Sequence, residues 1–314
     1  MKYSIGVDIG GMSIKVGLVD DNGVIVEENR EKTAPTSKQC IGNMVTQINK
    51  LLCNNGLTVK MIDGIGIGCP GAVSPDKGIV DFLPNLGWNN VDLVNQLKEH
   101  FDTEIVIAND ASVATLAEAK YGVAKDCNNA LMFTLGTGVG GGIIIDKKLY
   151  DGGFGRGGEL GHIVLDLNGI PCTCGRKGCI ETFVSATALI RQTKEAMLRD
   201  NNSLMWQEVN GDLDKVNGKT AFCCAKKGDA SANEVVEKYV SYLGESIMSL
   251  LNVFRPDVFI LGGGISLQGK TLTDKVTEYC EKFDYGYKSA PKTKIVTASL
   301  GNDAGIIGAS ALVR

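Results

Sequence analysis

Several features that mark other protein classes are missing from this sequence of 314 residues. Basic residues are not in excess, since 32 Lys and Arg face 36 Asp and Glu and give a net charge of −4. This balance argues against a broad nucleic-acid-binding surface. No apolar run approaches the ~20 residues that a membrane-spanning helix needs. The N-terminal MKYSIGVDIGG enters a strand pattern directly, without the apolar region of a signal peptide. We therefore expect a cytoplasmic protein without nucleic-acid or membrane partners.

Histidine is also scarce, with two residues in the whole chain, whereas cysteine occurs ten times. One of the two, His162, precedes Cys172, Cys174 and Cys179 in the pattern H-x9-C-x-C-x4-C. Imidazole and thiolate are the ligands that zinc prefers, and four of them complete a tetrahedral shell. A chance cluster of buried thiols is the alternative, because free cysteine is among the most buried residue types. Without a secretory signal, ten cysteines favour reduced thiols and a metal over disulfides. The pattern predicts a structural zinc site.

Two carboxylates, Glu159 and Glu181, flank this cysteine loop. A closed shell of three thiolates and one imidazole does not need them, so they are available for another role. The sequence therefore predicts a rigid, zinc-ordered platform that carries one histidine and two glutamates.

Residues 4–20, SIGVDIGGMSIKVGLVD, predict a β-hairpin with a tight glycine turn. A P-loop or Rossmann glycine motif would open a helix at this point, and no helix pattern follows. Gly10 and Gly11 expose backbone N–H groups that can bind an anion, and Asp8 lies beside them, placed to orient a hydrated Mg²⁺. For Lys15, a phosphate contact and a solvated lysine both remain open. A purely structural turn is the alternative for the whole stretch.

The same order of strand, glycines and strand returns at residues 130–153. Its turn contains Gly136, Thr137 and Gly138. The repetition argues for a duplicated, two-lobed architecture, in which two facing phosphate hairpins would hold a triphosphate. Further along the chain, another apolar strand leads into a third glycine turn, made of Gly262, Gly263 and Gly264.

The spacing of apolar residues predicts helices at 38–56, 90–101, 183–199 and 232–254, whereas residues 200–230 are polar and show little pattern. Asn109 and Asp110 lie where a strand passes into a further helix. Helix capping accounts for both, because Asn and Asp are preferred N-caps. A carboxylate at the C-terminal end of a strand is also where open α/β sheets place their sites. The residues alone leave both interpretations open.

In chain order, these motifs resemble the bacterial glucokinases of the ROK (repressor, open reading frame, kinase) family, within the actin-like ATPase superfamily. The resemblance covers essentially the whole chain and rests on DIGGMSIK, GIGCPGAV, NLGW, AND, LGTGVGGG, GELGH, CTCGRKGCIE and LGGGIS. GELGH followed by the cysteine loop is specific, whereas the glycine turns alone are not. Met12 stands where many relatives carry threonine, which puts one side-chain contact to the phosphates in doubt.

The resemblance implies an α/β, two-lobed actin-like (ribonuclease H-like) ATPase fold, with a duplicated lobe and the zinc loop in the larger lobe. We expect a small lobe of residues 1–108 plus 301–314 and a large lobe of residues 109–300. The implied activity is transfer of a phosphoryl group from ATP to glucose, with Mg²⁺ and structural Zn²⁺. Another hexose (N-acetylmannosamine, fructose or allose) and a non-catalytic sugar sensor are the alternatives. We also expect a homodimer.

The resemblance further implies a role for particular residues. Asp110 would be the general base for the sugar 6-hydroxyl. The sugar hydroxyls would be bound by Asn85, Asn109, Asp110, Glu159, His162 and Glu181. The nucleotide and its Mg²⁺ would be bound by Asp8, Gly10, Gly11, Met12, Lys15, Gly136, Thr137, Gly138, Gly262, Gly263 and Gly264. Repressors of the family carry a helix-turn-helix domain before the first hairpin, and we expect none because that hairpin begins at residue 4. A zinc-binding interaction module would leave Asp110 and the repeated hairpins unexplained.

Overall fold

The N-terminal glycine hairpin is the first element of the fold, and the structure confirms it. In this computed structural model, which describes residues 2–285, 289 and 291–314, β1 (Tyr3–Ile9) and β2 (Ser13–Asp20) pair antiparallel. Asp8 lies opposite Lys15 across the pair. The side chains of Ile5, Val7 and Val16 are fully buried in the core, which accounts for the apolar residues of both strands.

The other elements follow in chain order. The strands are β3 (Ile25–Lys32), β4 (Ile65–Cys69), β5 (Ala72–Ser74), β6 (Ile79–Leu83), β7 (Trp88–Asp92), β8 (Ile105–Asn109), β9 (Ala130–Leu135), β10 (Val139–Ile145), β11 (Lys148–Leu149), β12 (Val258–Gly262) and β13 (Lys294–Thr297). The α-helices are α1 (Ser37–Asn54), α2 (Leu93–Lys98), α3 (Asp110–Lys120), α4 (Glu181–Val184), α5 (Ala186–Arg199), α6 (Leu204–Glu208), α7 (Thr220–Lys226), α8 (Ala230–Phe254), α9 (Lys270–Phe283) and α10 (Ala304–Ala311). In the part of the chain that the structure describes, none of these helices combines the length and the apolar character needed to cross a bilayer.

The sheet order shows the predicted duplication. One five-stranded sheet has the order β3-β2-β1-β4-β8, and another has the order β11-β10-β9-β12-β13. In the first, β1 pairs antiparallel with β2 and parallel with β4, and β4 pairs parallel with β8. In the second, β12 pairs parallel with both β9 and β13. Both sheets therefore place a glycine hairpin beside two parallel strands. A smaller sheet has the order β5-β6-β7.

The chain divides into two compact units. Unit 1 contains Met1–Asn129, Gly142–Gly158 and Ser299–Arg314, and unit 2 contains Ala130–Gly141 and Glu159–Ala298. The lobe boundaries expected from the sequence, 1–108 plus 301–314 and 109–300, stay a prediction.

Glycines allow α10 to lie directly on the first sheet and on α3. A Cβ on Gly6 or Gly66 would overlap the backbone carbonyl oxygen of Ile306 or Ala309. On the other face of α10, a Cβ on Gly308 would overlap a carbonyl oxygen of α3. The small residues at the C-terminus therefore serve close packing within unit 1.

Three segments differ from the sequence expectation. Residues 90–101 were expected to be helical throughout, but Trp88–Asp92 form β7 and only Leu93–Lys98 form α2. The helix expected at 183–199 is divided, because the Ser185 side chain accepts a hydrogen bond from the Ala188 N–H (3.1 Å) and starts a new helix. Residues 200–230 contain α6 and α7. Their short apolar segments do not repeat often enough to give a readable period.

We predict that Gly66→Ala destabilises the protein by about 1–3 kcal/mol, because β4 and α10 must separate to admit a methyl group. Gly42→Ala is the matched control: Gly42 lies inside α1, and a Cβ there meets no atom within 4 Å. Its replacement should stabilise the helix by up to about 1 kcal/mol. Urea unfolding followed by circular dichroism measures both, and equal midpoints for the two variants would refute the packing argument.

Candidate active site

The four predicted zinc ligands lie together in unit 2. The ligand atoms of His162, Cys172, Cys174 and Cys179 all lie within 4.8 Å of one another. His162 Nδ1 is 3.6 Å from Cys172 Sγ, and the Sγ atoms of Cys174 and Cys179 are also 3.6 Å apart. With a Zn–S bond of about 2.3 Å, a tetrahedral shell separates its ligand atoms by roughly 3.8 Å. The donor set and its spacing therefore fit a zinc ion.

Backbone hydrogen bonds and two glycines bring these side chains together. Gly175 and Gly178 have φ angles of +87° and +66°, which L-residues with side chains rarely adopt. A Cβ on Gly178 would also overlap the carbonyl oxygen of Asp166. The Cys172 N–H donates to the Arg176 carbonyl (2.8 Å), so the chain reverses around Cys174, between the first cysteine and the third.

The thiols differ in their electrostatic surroundings. Burial raises the pKa of Cys172 and raises that of Cys179 to about 12. A hydrogen bond from the Arg176 backbone N–H lowers the pKa of Cys174. Cys172 and Cys179 thus lose their protons readily only when a cation replaces those protons, as a structural zinc ion does.

The zinc loop orients His162. Its Nδ1 faces Cys172, which leaves Nε2 as the ring nitrogen directed away from that thiol. His162 lies in the 3₁₀ turn Leu160–His162, and a Cβ on Gly161 would overlap the Val139 carbonyl oxygen of β10. Metal ligation through one ring nitrogen fixes the tautomer, so that the other nitrogen carries a proton and can donate it.

Glu159 lies close enough to His162 and to Glu181 to interact electrostatically with both. Burial raises the pKa of Glu159, nearby His162 opposes this shift, and the negative charge of Glu181 adds to it. Glu159 nevertheless keeps part of its surface exposed to solvent. The platform predicted from the sequence therefore has its two glutamates and its histidine side by side in unit 2.

The glycine turns predicted to bind nucleotide in unit 2 are neighbours. Gly136, Thr137 and Gly138 join β9 to β10. Gly263, which follows β12, has φ +77°. A Cβ on this glycine would lie 2.5 Å from the carbonyl oxygen of Leu135, the last residue of β9. Only glycine combines this dihedral with such an approach, so the Gly262–Gly264 turn lies against the start of the Gly136–Gly138 turn.

The first hairpin, in unit 1, carries an ion pair. Lys15 Nζ lies 3.3 Å from Asp8 Oδ2 and donates to the Asn302 carbonyl oxygen (2.9 Å). Only 21% of the Lys15 side chain is exposed, so it is not the solvated lysine of one sequence interpretation. A Cβ on Gly305 would lie 2.7 Å from Asp8 Cγ, which places the first turn of α10 against this carboxylate. A role of Lys15 toward phosphate stays a prediction.

The turn of this hairpin is open. A Cβ on Gly11 would meet no atom within 4 Å, and Met12 is 86% exposed. The Thr33 hydroxyl donates to the Gly10 carbonyl oxygen at 2.7 Å. The Thr33 N–H donates to the Met12 carbonyl oxygen at 3.1 Å. Thr33, which directly follows β3, thus shapes the turn that contains Met12, the residue found where many relatives carry threonine.

Glu118 is a buried residue that the sequence analysis missed. Its carboxylate accepts hydrogen bonds from the N–H groups of Val123, Ser299 and Leu300 at 2.7 to 3.0 Å, and from the Ser299 hydroxyl at 3.0 Å. These bonds fix the segment that leads to Asn302, the partner of Lys15. A glutamate among the small and apolar residues of α3 was the only sequence signal.

Asn109 and Asp110 lie at the junction of β8 and α3, as predicted. Asn109 Oδ1 accepts from the Ala111 and Ser112 N–H groups (2.9 and 3.4 Å), so it does cap the helix. Its Nδ2 donates to the Gly71 carbonyl oxygen (3.3 Å). Asp110 opens α3 at the C-terminal end of a parallel strand and accepts from the Ala111 N–H. Capping accounts for Asn109 and leaves the role of Asp110 a prediction.

Asn85 belongs to unit 1 as well. It lies exposed in the 3₁₀ turn Pro84–Leu86, directly after β6. Gly87 ends the turn with φ +64°. Its predicted role in sugar binding stays a prediction.

The comparison with known proteins identifies the family. The model of the ROK family matches residues 4–314. This chain belongs to the ROK family. The glucokinase of Halalkalibacterium halodurans is 35% identical, over 100% of this chain and 95% of the relative. The glucokinase of Thermotoga maritima is 33% identical, over 99% and 96%.

A solved glucokinase structure and a xylose repressor are also similar to this chain over nearly its whole length. The ROK family glucokinase from Streptomyces griseus in complex with glucose and AMPPNP has a TM-score of 0.82 at 31% identity, covering 99% of this chain and 98% of that one. The xylose repressor of Bacillus subtilis is 29% identical, over 99% of this chain and 77% of the repressor. The chain thus has the actin-like ATPase fold of the ROK glucokinases.

We predict about one zinc ion per chain and its loss in Cys174→Ala, because three remaining ligands leave the shell open. Structural zinc in small domains has an apparent binding free energy of about 10 kcal/mol or more, so the variant should also melt at a lower temperature. Cys53→Ala, at an exposed cysteine outside the cluster, should keep its zinc. Elemental analysis checks the prediction, and a wild-type protein without zinc would disprove it.

Proposed function

We propose that this chain is a hexokinase-type kinase that transfers the γ-phosphoryl group of ATP to the 6-hydroxyl of glucose. The full-length similarity to curated glucokinases and to a glucokinase crystallised with glucose and AMPPNP carries the proposal. These relatives support the enzyme class. The choice of glucose and the roles of single residues are the further steps of the proposal.

The glycine turns would bind the nucleotide phosphates. Backbone N–H groups in such turns attract anions, and phosphoryl transfer depends mainly on positioning and on charge neutralisation. When bound, Mg²⁺ would neutralise the phosphates, with Asp8 holding its water shell. Lys15 is within reach of the same carboxylate and holds it in position through their ion pair. The Gly262–Gly264 turn would contact the adenosine.

The zinc platform would bind the sugar. A hexose presents many hydroxyl groups, and carboxylates, amides and imidazole are the side chains that pair with them most densely. Glu159, His162 and Glu181 would take the hydroxyls at the anomeric end, with His162 donating from Nε2. Asn85 and Asn109 would bind further hydroxyls. Zinc would order this platform without contacting phosphate.

Asp110 would be the general base. Its carboxylate would accept the proton of the sugar 6-hydroxyl as the sugar oxygen bonds to the γ-phosphorus. The bond from that phosphorus to the β,γ-bridging oxygen would break, and ADP would leave. The position of Asp110 at a strand end, where α/β folds place their reactive groups, supports this assignment.

Glucose is the hexose we propose. Glutamates crowded at the anomeric end leave little room for an N-acetyl group at C2, which disfavours N-acetylmannosamine. A site built to pair a hydroxyl can reject an analogue lacking it by up to about 10⁴-fold, because its own polar groups would stay unpaired.

A non-catalytic sugar sensor is the second candidate function. The similarity to xylose repressors over 99% of this chain supports it. Turnover separates the two functions, because a sensor would bind sugar without forming ADP.

We predict that Asp110→Asn lowers kcat by about 10²–10⁴-fold, the typical loss on removing a positioned general base. Glucose affinity, measured by calorimetry, should change little, since an amide still pairs with a hydroxyl. Asp102→Asn, at an exposed carboxylate before β8, is the control and should turn over at the wild-type rate. An Asp110→Asn enzyme with wild-type kcat would remove Asp110 from the mechanism.

A further inference from the structure

The second glycine turn is held by residues that directly follow the zinc loop. Three hydrogen bonds connect them: Val139 N–H to Glu181 Oε2 (2.9 Å), Ala186 N–H to the Gly136 carbonyl oxygen (2.8 Å), and Thr187 Oγ1 to the Thr137 carbonyl oxygen (2.8 Å). We call Glu181, Ala186 and Thr187 the hairpin brace. It contacts the turn at its start, its middle and its end.

Glu181 and the turn are in close contact. A Cβ on Gly138 would overlap Glu181 Oε2, so the carboxylate fills the space beside this glycine. A carboxylate beside a phosphate site opposes anion binding through repulsion between like charges. Besides its proposed contact with the sugar, Glu181 can hold the turn, because a bond from an N–H group to a carboxylate is stronger than one between neutral groups.

The brace is also joined to the zinc cluster. Glu181 follows the predicted zinc ligand Cys179 by two residues, and the intervening Ile180 is 1% exposed. The other carboxylate oxygen, Oε1, lies 3.7 Å from Cys172 Sγ and 3.5 Å from Thr173 Oγ1. Ser185 then caps α5, which begins with the remaining two members of the brace. The zinc loop therefore determines where each brace residue can lie.

We propose that the hairpin brace transmits zinc binding to the nucleotide site. Zinc orders the loop, the loop positions the brace, and the brace holds the Gly136–Gly138 backbone in the shape that binds phosphate. The proposal rests on the proposed function in one respect, the assignment of this turn to the nucleotide. Its consequence is that zinc and Thr187 both affect nucleotide affinity in the absence of sugar.

Thr187→Val tests the brace with little risk to folding, because Thr187 is exposed and valine keeps its shape. Loss of the hydroxyl should raise the Kd for AMPPNP with Mg²⁺ about 3–10-fold, the loss expected for one hydrogen bond. Thr193→Val, at a fully buried side chain, is the control for loss of a threonine hydroxyl elsewhere in α5. The Thr193 hydroxyl donates to the Leu189 carbonyl oxygen (2.7 Å) within α5 and does not contact the turn.

Isothermal titration of AMPPNP with Mg²⁺, without sugar, is the measurement. We expect the weaker binding in Thr187→Val alone, with zinc content unchanged in both variants. Zinc-free wild-type protein that circular dichroism shows to be folded should lose at least the same factor. Equal Kd values for Thr187→Val and Thr193→Val would overturn the proposal, as would unchanged affinity in the folded zinc-free protein. If zinc removal unfolds the chain, the two threonine variants decide.

The same titration separates this proposal from the proposed function. A wild-type protein that binds AMPPNP but phosphorylates no sugar would refute the kinase assignment and leave the brace to be judged by the Kd values. A wild-type protein that binds no nucleotide would refute both.

Discussion

The approach of four ligand atoms to within 4.8 Å of one another is the constraint on which unit 2 depends. Cys172 and Cys179 are buried thiols with raised pKa values and are unfavourable as thiolates unless a cation is present, so the loop is suited to a metal. The cluster positions His162, which interacts electrostatically with Glu159. Through Glu181, the cluster is also connected to the second glycine turn. A single structural ion would thus order both the platform that we propose to bind sugar and the turn that we propose to bind phosphate.

In unit 1, a different set of contacts orders the first hairpin, and its described residues contain no cluster of metal-ligating side chains like the one in unit 2. Its first hairpin is held by the Asp8–Lys15 ion pair, by Asn302 and by the first turn of α10. The segment that carries Asn302 is fixed in turn by the buried carboxylate of Glu118. A buried carboxylate is costly unless its oxygens are hydrogen-bonded, and here four donors satisfy it. Glu118 therefore positions the hairpin indirectly, from the far end of α3.

The sequence predicted features whose cause is local. Apolar segments on both sides of paired glycines predicted both hairpins, and ligand spacing predicted the zinc cluster, because each signal lies within about 20 residues. Features set by distant contacts were missed. Glu118 bonds to residues about 180 positions later, and the hairpin brace joins residues some 40 to 50 positions apart. Ser185 divides a helix whose apolar spacing continues across it. The roles of Asp110 and of the sugar-binding residues came from family resemblance and stay predictions.

The initial rate of ADP formation at saturating ATP tests the kinase assignment most directly. It is measured without sugar and with glucose, N-acetylmannosamine or fructose as the acceptor. We predict almost no ADP without sugar, and a kcat/KM for glucose that exceeds those for the other two by about 100-fold or more. A preference for N-acetylmannosamine would replace the substrate and keep the kinase. ADP formation that is absent with every hexose, or that is the same with and without sugar, would contradict the account.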